Sequence, residues 1–333
     1  MMVNFIGGVI TSANYWFIVF RSTAPILLVT LGAVITAQAG IMNMALEGSI
    51  LWSALIGVIV SAATGSAWLG LFAGVASAVA VALILGIFAL KLDANPVLIG
   101  VALNLIATGG TVFVLFSLTG DKGISSSLES KVLPIINIPL IKDIPWIGKI
   151  ISGQNIIVYF AALSVVVIDL ILRKFTIGRR IKAIGENAQA AKAAGINIVR
   201  VQFFTLALSG VLAGLAGCFL SMGYTSNFTS GIAAGRGYVA NAARVVAGGT
   251  AVGSIFAAML FGLMDAMATY LQNIGLKPEL IQSLPYAVTI LGFVVVTIVR
   301  DKRESERKRK LFSNISAKGY NNELTDKEMK SGM

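Results

Sequence analysis

Long stretches of this chain carry no charge, and that constrains its fold more than any motif. Ser22–Leu46, Gly48–Leu90, Ala94–Gly120, Val201–Gly235, Val245–Met264 and Leu280–Val299 contain no Asp, Glu, Lys or Arg. Each reaches the roughly 20 residues that a helix needs to cross about 30 Å of hydrocarbon. Gly48–Leu90 is long enough for two spans, and the turn residues Ala63–Ser66 divide it into helices near 45–63 and 67–90. Gln154–Leu172 supplies another, with Asp169 near its basic end in reach of Arg173. Only 12% of the residues are charged and 56% are hydrophobic, whereas a soluble globule needs about 25% charge to cover itself. These features predict an all-α polytopic membrane protein with about 8–10 transmembrane helices.

The placement of the basic residues predicts sidedness. Of the 26 Lys and Arg, seven lie between Arg173 and Arg200 and ten between Arg300 and the end. Basic segments beside apolar spans stay in the cytoplasm, so an even number of crossings must separate these two. Three are plain, near 201–221, 250–270 and 281–300. The fourth falls to the short apolar segment 237–248, ended by Gly248-Gly249, which predicts a short or broken helix. Such backbone is tolerated at membrane depth only where protein buries it or a cavity wets it. Counting back puts Lys91–Pro96 inside and Asp121–Gly153 outside. The organisation expected is a membrane domain over 1–300, with a cytoplasmic loop at 174–199 and an external loop at 121–153, then a basic cytoplasmic tail over 301–333. Residues 1–20 are apolar but interrupted by Asn4, Ser12 and Asn14 and followed by Arg21, which predicts an interfacial helix. No basic segment precedes them, so a cleavable signal is not expected.

Several chemistries are disfavoured. The chain has no His and one cysteine, Cys218, in an apolar run, which leaves no intramolecular disulfide, no Cys-based zinc site and no Ser-His or Cys-His catalytic pair. Neither a cofactor nor a metal is expected. The net charge of +11 comes without the aromatic interleaving or recognition helix of a nucleic-acid binder. Gly248–Ser254 is glycine-rich but holds no Lys, so it is not a phosphate-binding loop and ATP is not expected on this chain. One echo within the chain hints at duplication, since Gly48-Ser49-Ile50 with Leu55 and Gly57 recurs as Gly253-Ser254-Ile255 with Leu260 and Gly262.

The most informative segment is the cytoplasmic Arg179–Ile196. Glu186 or Asn187 is placed to start a short helix that Gly195 ends, with Ala190, Ala191 and Ala194 making a smooth face. A small-faced helix lying along the membrane suits a groove in a partner, and Gly185, Glu186, Asn187, Ala190, Ala191, Ala194 and Gly195 are the residues expected to make that contact. "AIGENAQAAKAAGI" resembles the coupling loop of ATP-binding cassette (ABC) importer permeases in the branch for branched-chain amino acids, simple sugars and nucleosides. "AGIMNMALEGS" at Ala39–Ser49, "AGRGYVANAA" at Ala234–Ala243 and "PELIQSLPY" at Pro278–Tyr286 resemble further motifs of that family, the last one of its nucleoside and simple-sugar branch. The likeness covers about residues 20–300. The chain departs from the family at Ala37-Gln38, where a charged pair is common, and at Asn241 and Arg244, which are usually apolar.

The resemblance implies a permease in the cell (inner) membrane that moves a small polar solute by alternating access. It implies separate ATP-binding cassette ATPase subunits, a second permease subunit of the same or a different kind, and an extracytoplasmic solute-binding protein. Polar residues inside apolar spans are expensive unless paired or wet. Asn43, Glu47, Asn104 and Asn241 are therefore the solute-pathway candidates, with Asp265 and Gln272 behind them. Nucleosides are the first expectation for the solute, then simple sugars, then branched-chain amino acids. The rival readings are an ion-coupled secondary transporter using Glu47 and Asp265, which leaves the Ala-rich helix without a purpose, and a membrane enzyme, for which no activated nucleophile is visible.

Overall fold

The structure is a computed structural model, which describes residues 12–139, 147–272 and Ser305. The chain divides into two compact units, 1–289 and 290–333, and the description below concerns the first. The crossing expected at 281–300, the motif at Pro278–Tyr286 and the basic tail lie outside the described residues.

Among the described residues, seven helices are long and apolar enough to span a membrane. Helix α1 is Ala13–Gln38, α2 is Leu46–Thr64, α3 is Ala67–Lys91 and α4 is Pro96–Thr119. After a loop come the short α5 (Ile147–Ile151) and α6 (Ile156–Arg173). Two small helices follow, α7 (Thr176–Glu186) and α8 (Ala188–Ala193). The long α9 (Ile198–Phe219) runs into a π turn at Leu220–Tyr224, and α10 (Arg236–Val246) and α11 (Ala251–Gln272) complete the order.

The local signals that end these helices are in the sequence. Gly65 takes a left-handed conformation at φ +65° after α2, and Ser66 Oγ then accepts from Leu69 N to start α3. Asn95 Oδ1 accepts from Val97 N at 2.8 Å with Pro96 at the first helical position, which fixes the start of α4. Ser12 Oγ accepts from Tyr15 N at 3.2 Å and starts α1. Ala13–Arg21 are thus the first turns of a helix of spanning length, which corrects the interfacial helix expected there, and residues 1–11 lie outside the described residues. The apparent boundary at Arg21 misled because its guanidinium finds carbonyls. It donates to Gly223 O at 3.0 Å and Tyr224 O at 2.9 Å, two acceptors at the π turn, and lies 4.5 Å over the Tyr224 ring.

All seven helices are apolar, so burial tells which are central. The apolar window of α1 is 83% buried by protein, whereas those of α4 and α6 are 22% and 28% buried. Helix α1 is therefore the central post, packed by α9, α10, α11 and α6, and α4 and α6 turn most of their surface outward. On α4 the buried residues Gly100, Asn104, Ala107, Thr111 and Leu115 form one stripe, while Leu98, Leu105, Ile106 and Phe113 are exposed. Glycine permits the closest helix contacts. A Cβ on Gly210 or Gly214 of α9 would come 2.7 Å from the Cα of Val79 or Val75 on α3.

The segments expected outside meet one another. Ile124 pairs with Thr229, Ser125 N donates to Phe228 O at 2.9 Å, and Ile135–Ile136 pairs antiparallel with Gln154–Asn155. At the opposite, basic end, Arg173 Nε binds Asp169 Oδ1 at 2.8 Å. The chain returns from Thr229 without regular structure as far as Gly235, then descends as α10 to Gly248 and Gly249 at the basic end. Among the described residues this short helix stands where the broken crossing was expected. The two echoed segments also share a detail, since Ser49 Oγ donates to Ala45 O and Ser254 Oγ to Thr250 O, each at 2.9 Å.

A candidate solute pathway and coupling surface

Two interruptions in the helices meet in the interior of the bundle. The first is Ala39–Ala45, between α1 and α2, where Gly40 turns the chain at φ +73°. The second ends at Gly235, where Gly231, Ala234 and Gly235 all have positive φ ahead of α10. A non-glycine residue in that region, as at Ala234, is strained.

Each interruption exposes helix-end N–H groups that have no intrahelical partner, and the sequence-selected polar residues supply them. Glu47 Oε1 accepts from Gly235 N at 2.8 Å and Oε2 from Gly237 N at 2.7 Å, so a carboxylate on α2 caps α10 at the positive end of its dipole. Asn104 Oδ1 accepts from Gly48 N at 2.8 Å, and its Nδ2 donates to Met44 O at 2.8 Å and Tyr238 Oη at 3.1 Å. Asn43 Oδ1 accepts from Ala45 N at 3.1 Å, and Nδ2 donates to Ser209 Oγ at 3.0 Å. Asn241 Nδ2 donates to Asn43 O at 3.3 Å. The structure thus brings all four candidates into one cluster. Asn43, Glu47 and Asn104 are buried and spend their hydrogen bonds on backbone and neighbours, while Asn241 is half-buried and keeps Oδ1 free.

Of the residues behind them, Asp265 lies beside the cluster, with Oδ2 accepting from Arg236 Nη2 at 2.9 Å. The side chain of Gln272 lies outside the described residues. The sequence reading did not single out Tyr238 or Ser209, yet both hydrogen-bond to the cluster. Spacing within α10 held the signal for Tyr238, one position after Gly237, but nothing pointed to Ser209, which sits within an ordinary apolar span.

At the basic end, Asn187 Oδ1 accepts from Ala190 N at 3.0 Å, and Gly195 follows α8 at φ +77°. Asn187 is therefore the start residue, and Glu186 instead ends α7. Gly185, Glu186, Asn187, Ala190, Ala194 and Gly195 are exposed, while Ala191 is 4% exposed and faces the protein's own core, which corrects its place on the smooth outer face. Helix α7 buries Gly178, Ile181 and Ile184 and presents Arg179, Arg180 and Lys182. Its end touches the first interruption backbone to backbone, since a Cβ on Gly40 would lie 3.7 Å from Gly185 Cα. Gln202 Nε2 closes the contact by donating to Ala39 O at 3.0 Å.

Discontinuous helices joined at polar caps, spanning helices around them and an exposed helix pair at the basic end define a multi-pass membrane transport subunit. The chain belongs to the family described as branched-chain amino acid transport system / permease component, which it matches over residues 15–299. It is a permease of an ABC importer, a transport component and not an enzyme. Among its relatives are the nucleoside ABC transporter permease protein NupC of Lactococcus lactis and the guanosine ABC transporter permease protein NupQ of Bacillus subtilis. Each is 29% identical, covering 81% and 83% of this chain and 87% of its own length. TsgC13 of Haloferax volcanii, an ABC transporter permease named for glucose, is 29% identical over 83% of this chain and 90% of its own. No solved structure matches.

Proposed function

We propose that this permease imports a nucleoside, with simple sugars as the second reading, and that α8 receives the ATPase's motion. The observation that carries the coupling half is the contact of Gly185 with Gly40, through which α7 and α8 bear directly on the interruption that leads to Asn43 and Glu47. A displacement of the exposed Ala190 face passes through rigid backbone to the caps of α2 and α10. The basic end is then cytoplasmic, in keeping with Arg173–Arg200 beside it. The names of NupC and NupQ support the nucleoside, and that of TsgC13 the sugar. Amide side chains, which both donate and accept, suit hydroxyls and base edges.

The working assembly comprises two permease subunits, two ATP-binding cassette subunits and an extracytoplasmic solute-binding protein, consistent with the ATPase and binding protein that the family implies. The test is uptake into proteoliposomes carrying this chain with its co-purified subunits and binding protein, using labelled guanosine, ribose and leucine. Guanosine import that requires ATP and is lost in Ala190→Arg supports the proposal. Import of leucine alone overturns the solute, and uptake driven by an ion gradient without ATP overturns the coupling.

A further inference from the structure

Three polar atoms near the lower half of α10 are buried and have no hydrogen-bond partner among the described residues, namely Gln38 Oε1, Asn241 Oδ1 and Arg244 Nε. Helical periodicity places Gly237, Asn241 and Arg244 on one stripe of α10, which ends at Val246. Gly237 in that stripe abuts Glu47, Asn241 donates to Asn43 O, and Gly249, just past its end, accepts from Gln38 Nε2. The stripe therefore faces the interruption between α1 and α2 along its length, with Arg244 between the two fixed points. It runs about 10 Å from Gly237 to Arg244 at about 1.5 Å per residue.

Arg244 has no carboxylate partner among the described residues, where the ion pairs are Arg173–Asp169 and Arg236–Asp265. A cation and two amide oxygens half inside a membrane protein cost free energy if nothing meets them, and folded proteins reserve such groups for water or ligand. The set is selective in its chemistry. Two acceptors and one cationic donor are met together by adjacent hydroxyls, each of which donates to an amide oxygen and accepts from a guanidinium. A simple anion would satisfy Arg244 and be repelled by the amide oxygens.

Resting on the permease reading above, we propose that Gln38, Asn241 and Arg244 form an exit-side station that binds the hydroxyl groups of the solute between the Glu47–Gly237 junction and the cytoplasm. The test compares guanosine with 2′,3′-dideoxyguanosine in the reconstituted complex, so that selection by the binding protein cancels when each variant is referred to wild type. Asn241→Leu and Arg244→Leu are expected to lower kcat/KM for guanosine about tenfold, the scale of one lost hydrogen bond to a charged group, and to leave the dideoxy compound nearly unchanged. Equal losses for both solutes, or unchanged discrimination, overturn the station.

A second measurement stands apart from the solute's identity. In a Cys218→Ser background, Asn241→Cys and Arg244→Cys are treated in inside-out vesicles with a membrane-impermeant methanethiosulfonate, with Val246→Cys on the opposite face as the control. Modification at 241 and 244 but not at 246 supports an open polar seam, and none at 241 and 244 overturns it. Modification combined with unchanged discrimination makes the seam a passage for water and overturns the station as well. Absence of ATP-driven guanosine import in wild type would fail the preceding proposal while leaving the thiol result to decide this one.

Discussion

The Glu47 carboxylate holds Gly237 N at 2.7 Å across 190 residues of sequence, joining the first turn of α2 to the first turn of α10. With Gly235 N at 2.8 Å on the other oxygen, one side chain meets both donors. Glu47→Ala strands both, and each buried unsatisfied N–H costs about 1–3 kcal/mol, so a loss of roughly 2–6 kcal/mol is expected. Glu47→Gln keeps one acceptor and forfeits the charge at the helix end, so it should fall between wild type and Ala. Denaturation of the purified permease in detergent gives the order, and Gln as damaging as Ala would show that the charge matters more than the bonds.

Gly237 is close to its cap in a second sense. Its φ is helical, so only space excludes a side chain, and a Cβ there would lie 2.6 Å from Glu47 Cα. Gly237→Ala should separate α10 from α2 and lower the melting temperature, despite alanine's better helix propensity. A variant as stable as wild type, measured by fluorescence-detected size exclusion after heating, would show that the junction gives way at little cost.

The two faces of α8 should respond oppositely to the same substitution. Ala190 is exposed, so Ala190→Arg should leave the stability within about 0.5 kcal/mol of wild type while the ATPase subunit no longer co-purifies. Ala191 is 4% exposed, so Ala191→Arg should cost on the order of 3 kcal/mol through the buried charge. Retention of the ATPase by a stable Ala190→Arg protein would remove α8 from the interface.

Arg236 and Asp265 are a half-buried pair, with side chains 17% and 28% exposed. Removing one partner leaves a charge inside the bundle, whereas replacing both with apolar groups does not. Asp265→Leu should therefore destabilise more than the double change Asp265→Leu with Arg236→Met. A thermodynamic cycle on the purified protein checks it, and additive losses would mean that the two charges do not support one another.

The spans were legible because hydrocarbon tolerates charge so poorly that their ends show in composition alone, as at Lys91 and Asp121. The broken helix followed from counting crossings, and α8 from Asn187 and Gly195, whose conformational preferences are local. The partners were not legible. Glu47, Asn43 and Asn104 stood out by residue type, but their acceptor and donor groups lie 190, 166 and 56 residues away, and a sequence shows which side chain is costly without showing what satisfies it. Ala191 misled for a related reason, since alanine suits a smooth outer face and a close inner contact equally well. Arg21 looked like a boundary because the carbonyls that receive it come from a π turn, which carries no signature in the sequence.

That latch makes α9 a lever with an unequal grip. Its outer end is clamped by Arg21 to the central post, at Gly223 O and Tyr224 O. Its other end meets the post through the Gln202 amide on Ala39 O. A push arriving through α7 would reach α9 first at Gln202, the end tied to the post by one amide. The larger travel would then fall beside Ala39 and Gly40, away from the end that Arg21 clamps.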